Sequence, residues 1–233
     1  MRAFRAGFLT ATVRLMRRAG LVTALLTIAL TLTLALLERR ASAAGAADRI
    51  VATVFRLILP LEAFALSTAA VGLDNLRESL WPVARFGHSR ALAALGHTAG
   101  VAATTAAVAL VAVAGGLLVT HLGSPRAALG PSGPLGLPAD LVTTSAITVV
   151  ASLGYAAWFA WGATLGARGG GRGFVLTADF IFGPVGLFGL ALPKGPAYVL
   201  VGLSKDVASG PMAWAAALVS VVALSLLTAL RCR

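Results

Sequence analysis

Charge is scarce in this chain, and negative charge scarcest. Only 12% of the 233 residues are charged, and just eight are acidic against 19 Lys and Arg. A soluble domain carries about 25% charged residues, so a water-soluble fold is excluded first. Cysteine is almost absent: Cys232 stands alone near the end of the sequence, which excludes an internal disulfide and a thiolate metal framework. Palmitoylation is the one functional use open to such a thiol; the expectation is an inert tail residue. The three histidines, His88, His97 and His121, have neither an H-x-x-x-H spacing nor a Glu/His pairing at i,i+3 or i,i+4, so no metal site is indicated. They are expected to be solvated or interfacial. The stretch ARGGGRG, 167–173, lacks the Lys-Ser/Thr that closes a phosphate loop and reads as a tight turn. No Ser/His/Asp set falls in a plausible order either. The chain is read as neither an enzyme nor a nucleotide binder, with no cofactor of its own.

What remains is apolar. Hydrophobic residues make up 58% of the chain and the mean hydropathy is +0.91. They fall in blocks near the ~20 residues that a bilayer crossing needs. The fold class expected is an all-α polytopic membrane protein with six spans, about 21–37, 50–73, 91–118, 141–166, 174–192 and 212–230. Residues 21–233 form one transmembrane domain on this reading. The first block, followed by ASAAGAA, imitates a signal peptide with its cleavage site. The long patterned basic region before it and Glu38-Arg39-Arg40 directly after it favour a retained span.

The leader, 1–20, carries Arg2, Arg5, Arg14, Arg17 and Arg18 and no acid. Phe4, Phe8, Leu9, Val13, Leu15 and Met16 recur at helical spacing, and Phe4 and Phe8 are i,i+4 partners. A basic amphipathic helix lying in the membrane interface is predicted. The connection 121–140, rich in Pro and Gly, is predicted to be irregular. The segment 193–211 is too apolar for a simple loop and too broken to span, so an interfacial or re-entrant course is expected. Trp158 and Trp161 are placed at an aromatic belt. Thr143, Thr144, Ser145, Thr148 and Ser152 are read as helix-packing groups.

The formal charge of +11 would suggest nucleic acid in a soluble protein, but here the cations cluster at the ends of apolar blocks. That is the pattern of topology signals and anionic-lipid contacts. With six spans, twelve Lys and Arg lie on the side of both termini and six on the other, with Arg56 inside a span. The positive-inside rule then places both termini in the cytoplasm. Ala, Gly and Arg usage points to a high-GC genome and a bacterial inner membrane.

Ionisable residues inside spans should face the bundle, a partner or water. Arg56, Glu62 and Asp179 are the candidates. Arg56 and Glu62 lie about 9 Å apart along a helix and on nearly opposite sides, so no direct pair is expected. The alternatives for them are a substrate or proton path, or Arg56 snorkelling while Glu62 bonds across helices.

Between the second and third apolar blocks stands DNLRESLWPVARFGHSR, 74–90. Asp74 or Asn75 can cap a short helix, with Leu76, Leu80 and Val83/Ala84 on one face and Arg77, Glu78 and Arg85 off it. The GHSR sequence ends that helix. A short helix after span two, an x-S-R turn and a long span three resemble the permease subunits of type-2 ABC exporters, although Gly87 stands where the family often has proline. The six-span count, basic leader, short link after span four and broken segment before span six fit the same resemblance. It implies a cytoplasmic coupling helix whose transmitting residues are Leu76, Arg77, Glu78, Leu80, Trp81 and Arg85. The implied partners are a separate ATP-binding-cassette ATPase subunit that carries ATP and Mg, and a second permease copy or paralogue. Membrane lipids surround the pair. The alternatives are an ion-coupled carrier using Glu62 and Asp179, or a membrane scaffold protein.

Overall fold

The computed structural model describes residues 1–122, 137–184, 189–203 and 210–233. Among these the chain is all-helical. Its elements are α1 (Arg2–Leu15), α2 (Arg18–Ala41), α3 (Ala46–Val71), α4 (Leu76–Ser79), α5 (Trp81–Ala84), α6 (Arg90–His121), α7 (Leu137–Gly162), α8 (Gly171–Phe182), α9 (Lys194–Leu200) and α10 (Gly210–Arg231). Five of them, α2, α3, α6, α7 and α10, are long and apolar enough to cross a membrane. Large apolar side chains cover their outer faces. On α2, Leu21, Leu25, Leu26, Leu30, Leu36 and Leu37 are all exposed, as expected of a helix whose solvent is lipid rather than water.

Every apolar block except one becomes a long helix, usually extended by a turn beyond the expected bounds because charged end residues such as Arg18, Arg90 and Arg231 can still complete helical bonds. The exception is 174–192. Its helix, Gly171–Phe182, is twelve residues long, and a second short helix spans Lys194–Leu200. Pro184 cannot continue the ladder. Gly183 lies where a Cβ would stand 2.7 Å from Lys194 Cβ, so the two short helices meet there. The irregular connection expected after His121, with Arg126, falls mostly outside the described residues, as does Lys205.

α3 is interrupted rather than broken. Pro60 has no N–H to donate, and the helix widens into a π turn over Val54–Ile58 whose following residue, Leu59, bonds back to Val54. This re-spaces the ladder next to the proline without a kink-forming gap.

The leader forms a helix, and its small residues pack against the bundle. Its buried residues are Ala3, Gly7, Ala11 and Leu15, whereas Phe4, Leu9, Val13 and Met16 point outward. The small residues at i, i+4 and i+8 form a flat stripe against Ala93, Gly96 and Gly100 of α6. A Cβ on Gly7 would overlap the Ala93 carbonyl, and one on Gly96 would overlap that of Phe4. Small residues let helix backbones approach this closely, and dispersion over the contact supplies the attraction.

Two ends of the bundle are distinguishable. At one, hereafter the near end, Val71, Leu76, Leu80, Ala93, Ala94, Ala160, Ala163 and Cys232 share a buried cluster. At the far end a cavity of about 450 Å³ is bordered by Asp48, Asp140, Thr143, Thr144 and the end of α9. Glu38 and Arg49 form an ion pair across the α2–α3 turn there, and Arg49 also donates to Ala44 O at 2.9 Å and Ser42 O at 2.7 Å.

Cys232 is fully buried in the near-end cluster. Burial pushes its thiol up to about 11, leaving very little thiolate at neutral pH. Maleimide labelling of the folded protein is therefore expected to be negligible at pH ~7 and complete once the chain is denatured. Rapid labelling of the native protein would contradict the packing of this tail.

Candidate functional site

The near end carries the most elaborate polar construction. Asn75 caps α4, its Oδ1 accepting from Arg77 N–H at 3.0 Å, while its Nδ2 donates to Gly166 O at 3.2 Å. The next residue, Leu76, donates its N–H to Ala163 O at 3.0 Å. The segment is thus fastened to the end of α7. From the other side, Arg14 of α1 donates to Ala70 O at 2.9 Å, Ser79 Oγ at 2.8 Å and Ser79 O at 3.3 Å.

One short helix was expected over this stretch, and two single-turn helices occur instead. The chain leaves α4 at Leu80 and restarts with Trp81-Pro82, because proline is tolerated in a first turn and not in a helix interior. Gly87, at φ +76°, then reverses the path. Ser89 opens α6 by accepting from Leu92 N–H at 3.4 Å.

The six residues expected to act together divide by direction. Leu76 and Leu80 are fully buried anchors. Arg77, Glu78 and Trp81 face outward, and Trp81 is 56% exposed. Arg85 is exposed beside its neighbour Phe86, 6.0 Å from that ring's centre. Arg90, which the sequence reading did not include, stacks over Trp81 at 4.9 Å. An open groove of about 490 Å³ is lined by Arg77, Glu78, Trp81 and Arg90. An exposed indole held flat by a guanidinium and flanked by both signs of charge is a surface suited to a protein partner.

A second constellation lies among α3, α7, α8 and α9. Asp179, fully buried, accepts from Tyr155 OH at 3.1 Å and from the Lys194 N–H at 3.2 Å. The first of these bonds joins α8 to α7, and the second joins α8 to the start of α9. The Lys194 ammonium sits 3.8 Å from the centre of the Phe180 ring and 5.6 Å from that of Tyr198. Arg56, exposed on the π turn, lies 5.9 Å from the same Tyr198 ring. Arg56 and Asp179 therefore share one neighbourhood, and Glu62 does not belong to it. Tyr155, Lys194 and Tyr198 went unnoticed in the sequence, although they are both tyrosines and one of the two lysines of the chain.

Other expectations are corrected by burial. Trp158 is buried between helices rather than open to lipid, its Nε1 donating to Val175 O at 2.8 Å, with the Trp161 ring 5.2 Å away. His97 is buried rather than solvated, since α1 covers that stretch of α6. His121 pairs with Asp140 at 3.3 Å across the undescribed connection. Arg172, assigned to a link, is buried and donates to Gly72 O at 2.7 Å, Gly169 O at 3.2 Å and Ser67 O at 3.4 Å. The link's turn is made with positive φ at Gly166, Arg168 and Gly169. No protein-family model matches the chain, and no curated protein matches it.

Proposed function

We propose that this chain is the membrane-spanning subunit of a type-2 ABC exporter. On this reading a separate ATPase subunit binds ATP and Mg and docks on α4 and α5, and the chain itself hydrolyses nothing. The observation that carries the proposal is the near-end surface: an exposed Trp81, flanked by Arg77, Glu78 and Arg90, on single-turn helices that follow α3 in the chain and are bonded to α1 and to the end of α7. A force applied to such a surface reaches three helices at once, which is what a coupling element needs. Helix-in-groove docking with a charged rim supplies the recognition.

The broken α8–α9 segment supports the same reading. α8 starts beside Gly162 and Leu165 near the end of α7, and α9 ends at the far-end cavity. Twelve and seven residues at 1.5 Å rise give about 18 and 10 Å, together close to a ~30 Å hydrocarbon core. The two half-helices then serve as the sixth crossing, with the near end cytoplasmic and the membrane a bacterial inner membrane. A second copy or paralogue completes the transport unit. The ion-coupled alternative is weakened at Asp179, whose two oxygens are already engaged in joining helices.

The test is co-purification from the native host in mild detergent. An ATP-binding-cassette protein is expected with the wild type and is expected to be lost from Trp81→Ala and Glu78→Arg, both exposed positions whose change leaves the fold intact. An interface aromatic of this kind carries ~2 kcal/mol or more, a loss of roughly 30-fold in affinity. Absence of any such ATPase from the wild-type preparation overturns the reading.

A further inference from the structure

Three buried polar side chains of α3, α6 and α7 lie one turn from an apolar cluster that these helices share. On one side Leu66 of α3, Val101 and Ala102 of α6 and Ala156 of α7 pack together. On the other, Leu59 of α3, Ala109 of α6 and Ala151 of α7 belong to a second cluster. One turn from Leu66 toward the far end is Glu62, one turn from Val101 is Thr105, and one turn back from Ala156 is Ser152. The directions agree, because α3 and α7 run toward the near end and α6 runs away from it. All three residues are buried, Glu62 at 3% exposure and the others at 0%.

These three also share an unusual chemistry. Most hydroxyls on these helices bond to the carbonyl four residues back, as Thr98, Thr104 and Thr148 do. Thr105 and Ser152 do not, and among the described residues no group bonds to either hydroxyl or to either carboxylate oxygen of Glu62. The charged groups on the elements packed against α3 are otherwise occupied or elsewhere. Arg14 is spent on Ala70 and Ser79, Arg172 on three carbonyls, Asp179 on Tyr155 and Lys194, and Asp140 on His121. His97, two turns from Thr105 toward the near end, makes no bond of its own among the described residues, and Arg56 is exposed on the π turn.

We propose that Glu62, Thr105 and Ser152 form a binding site for a single proton. Glu62 is carried as the neutral acid while α3, α6 and α7 are packed together. A buried carboxylate without a counter-charge or donors is among the most expensive arrangements a bundle can hold. A metal cation is a poor answer here: two carboxylate and two hydroxyl oxygens fall short of the six or so ligands a hard cation takes, and the main-chain carbonyls on these helices are committed to their ladders. A proton needs only one oxygen. It comes from water, forms an O–H bond to one Glu62 oxygen, and leaves a neutral group that requires a single acceptor. Side-chain rotation brings the Thr105 or Ser152 hydroxyl oxygen to it. Loss of the proton places a charge beside the shared apolar cluster, so deprotonation is linked to separation of α3 from α6 and α7. The inference does not depend on the exporter reading, since a proton-locked bundle serves a carrier as well as an ATP-driven subunit.

Infrared spectroscopy of the full chain in lipid nanodiscs tests this directly. The sequence holds three glutamates, Glu38, Glu62 and Glu78. Glu38 is paired with Arg49 and Glu78 is exposed, so Glu62 is the one glutamate of the three that is buried without a partner among the described residues. With the glutamate side chains carrying carbon-13, the wild type is expected to show an isotope-shifted acid carbonyl band at neutral pH. The band is expected to be absent from Glu62→Gln and to shift in frequency in the Thr105→Val, Ser152→Ala double variant. A labelled wild type with no acid carbonyl band at neutral pH overturns the proposal without need of any variant. A band that ignores both hydroxyl substitutions overturns the three-residue site.

Discussion

Replacing Gly96 with leucine is expected to strip α1 from the bundle. The position leaves no room: even a Cβ there overlaps the Phe4 carbonyl, which belongs to the backbone of α1 and cannot rotate away. Overpacking costs typically 1–3 kcal/mol and more where backbone must move, and the stripe of Ala3, Gly7, Ala11 and Leu15 loses its partner face as well. A displacement of about 3 kcal/mol corresponds to roughly a 100-fold rise in the population of the undocked leader. Trypsin cleavage after Arg14 reads that population, because Arg14 is held against Ala70 and Ser79 in the docked state. Gly100→Ala serves as the graded comparison, since its added Cβ meets Ala11 Cβ at 2.9 Å and Phe8 O at 3.0 Å. Its effect is expected in the same direction and smaller. Unchanged cleavage in Gly96→Leu would mean that α1 is not packed on α6 as described.

The second large effect is expected at Arg172→Met. One guanidinium satisfies carbonyls at Ser67, Gly72 and Gly169, the first two at the end of α3 and the third in the turn before α8. Methionine keeps much of the volume and removes every donor. Hydrogen bonds to a charged group contribute about 1.5–3 kcal/mol each, not additively, so a loss of about 3 kcal/mol is expected. It should appear as a lower thermal midpoint of the detergent-solubilised protein. Arg172→Lys is expected to recover less than half, because an ammonium cannot present the guanidinium's planar fork to three separated acceptors. A variant melting with the wild type would show that the α3–α8 junction is held by something else.

These two sites mark where sequence reading stops. Gly96 and Gly100, like Ala3, Gly7 and Ala11, are visible as small residues at four-residue spacing. The amphipathic pattern nevertheless drew attention to Phe4 and Phe8, the apolar side of a helix expected in the membrane interface. In lipid the outside is apolar too, so residue size rather than polarity sorts buried from exposed. Arg172 was legible only as part of a glycine-rich link. That it is buried follows from which carbonyls it reaches, and two of the three, at Ser67 and Gly72, lie 105 and 100 positions earlier.

The sequence alone determined what local physics governs: apolar blocks long enough to become α2, α3, α6, α7 and α10, and the Asn75 cap of the short helix that follows α3. Blocks of this length have few alternatives in a bilayer, where each backbone group must be satisfied within its own segment. Tertiary structure decided the rest. It brought Arg90 onto Trp81, engaged Asp179 with Tyr155 and Lys194, and placed Thr105 and Ser152 one turn from the cluster that Glu62 also borders. Each of those outcomes depends on helix rotation and depth relative to a neighbour. The packing of side chains across two helices sets both, and no pattern within one helix encodes them.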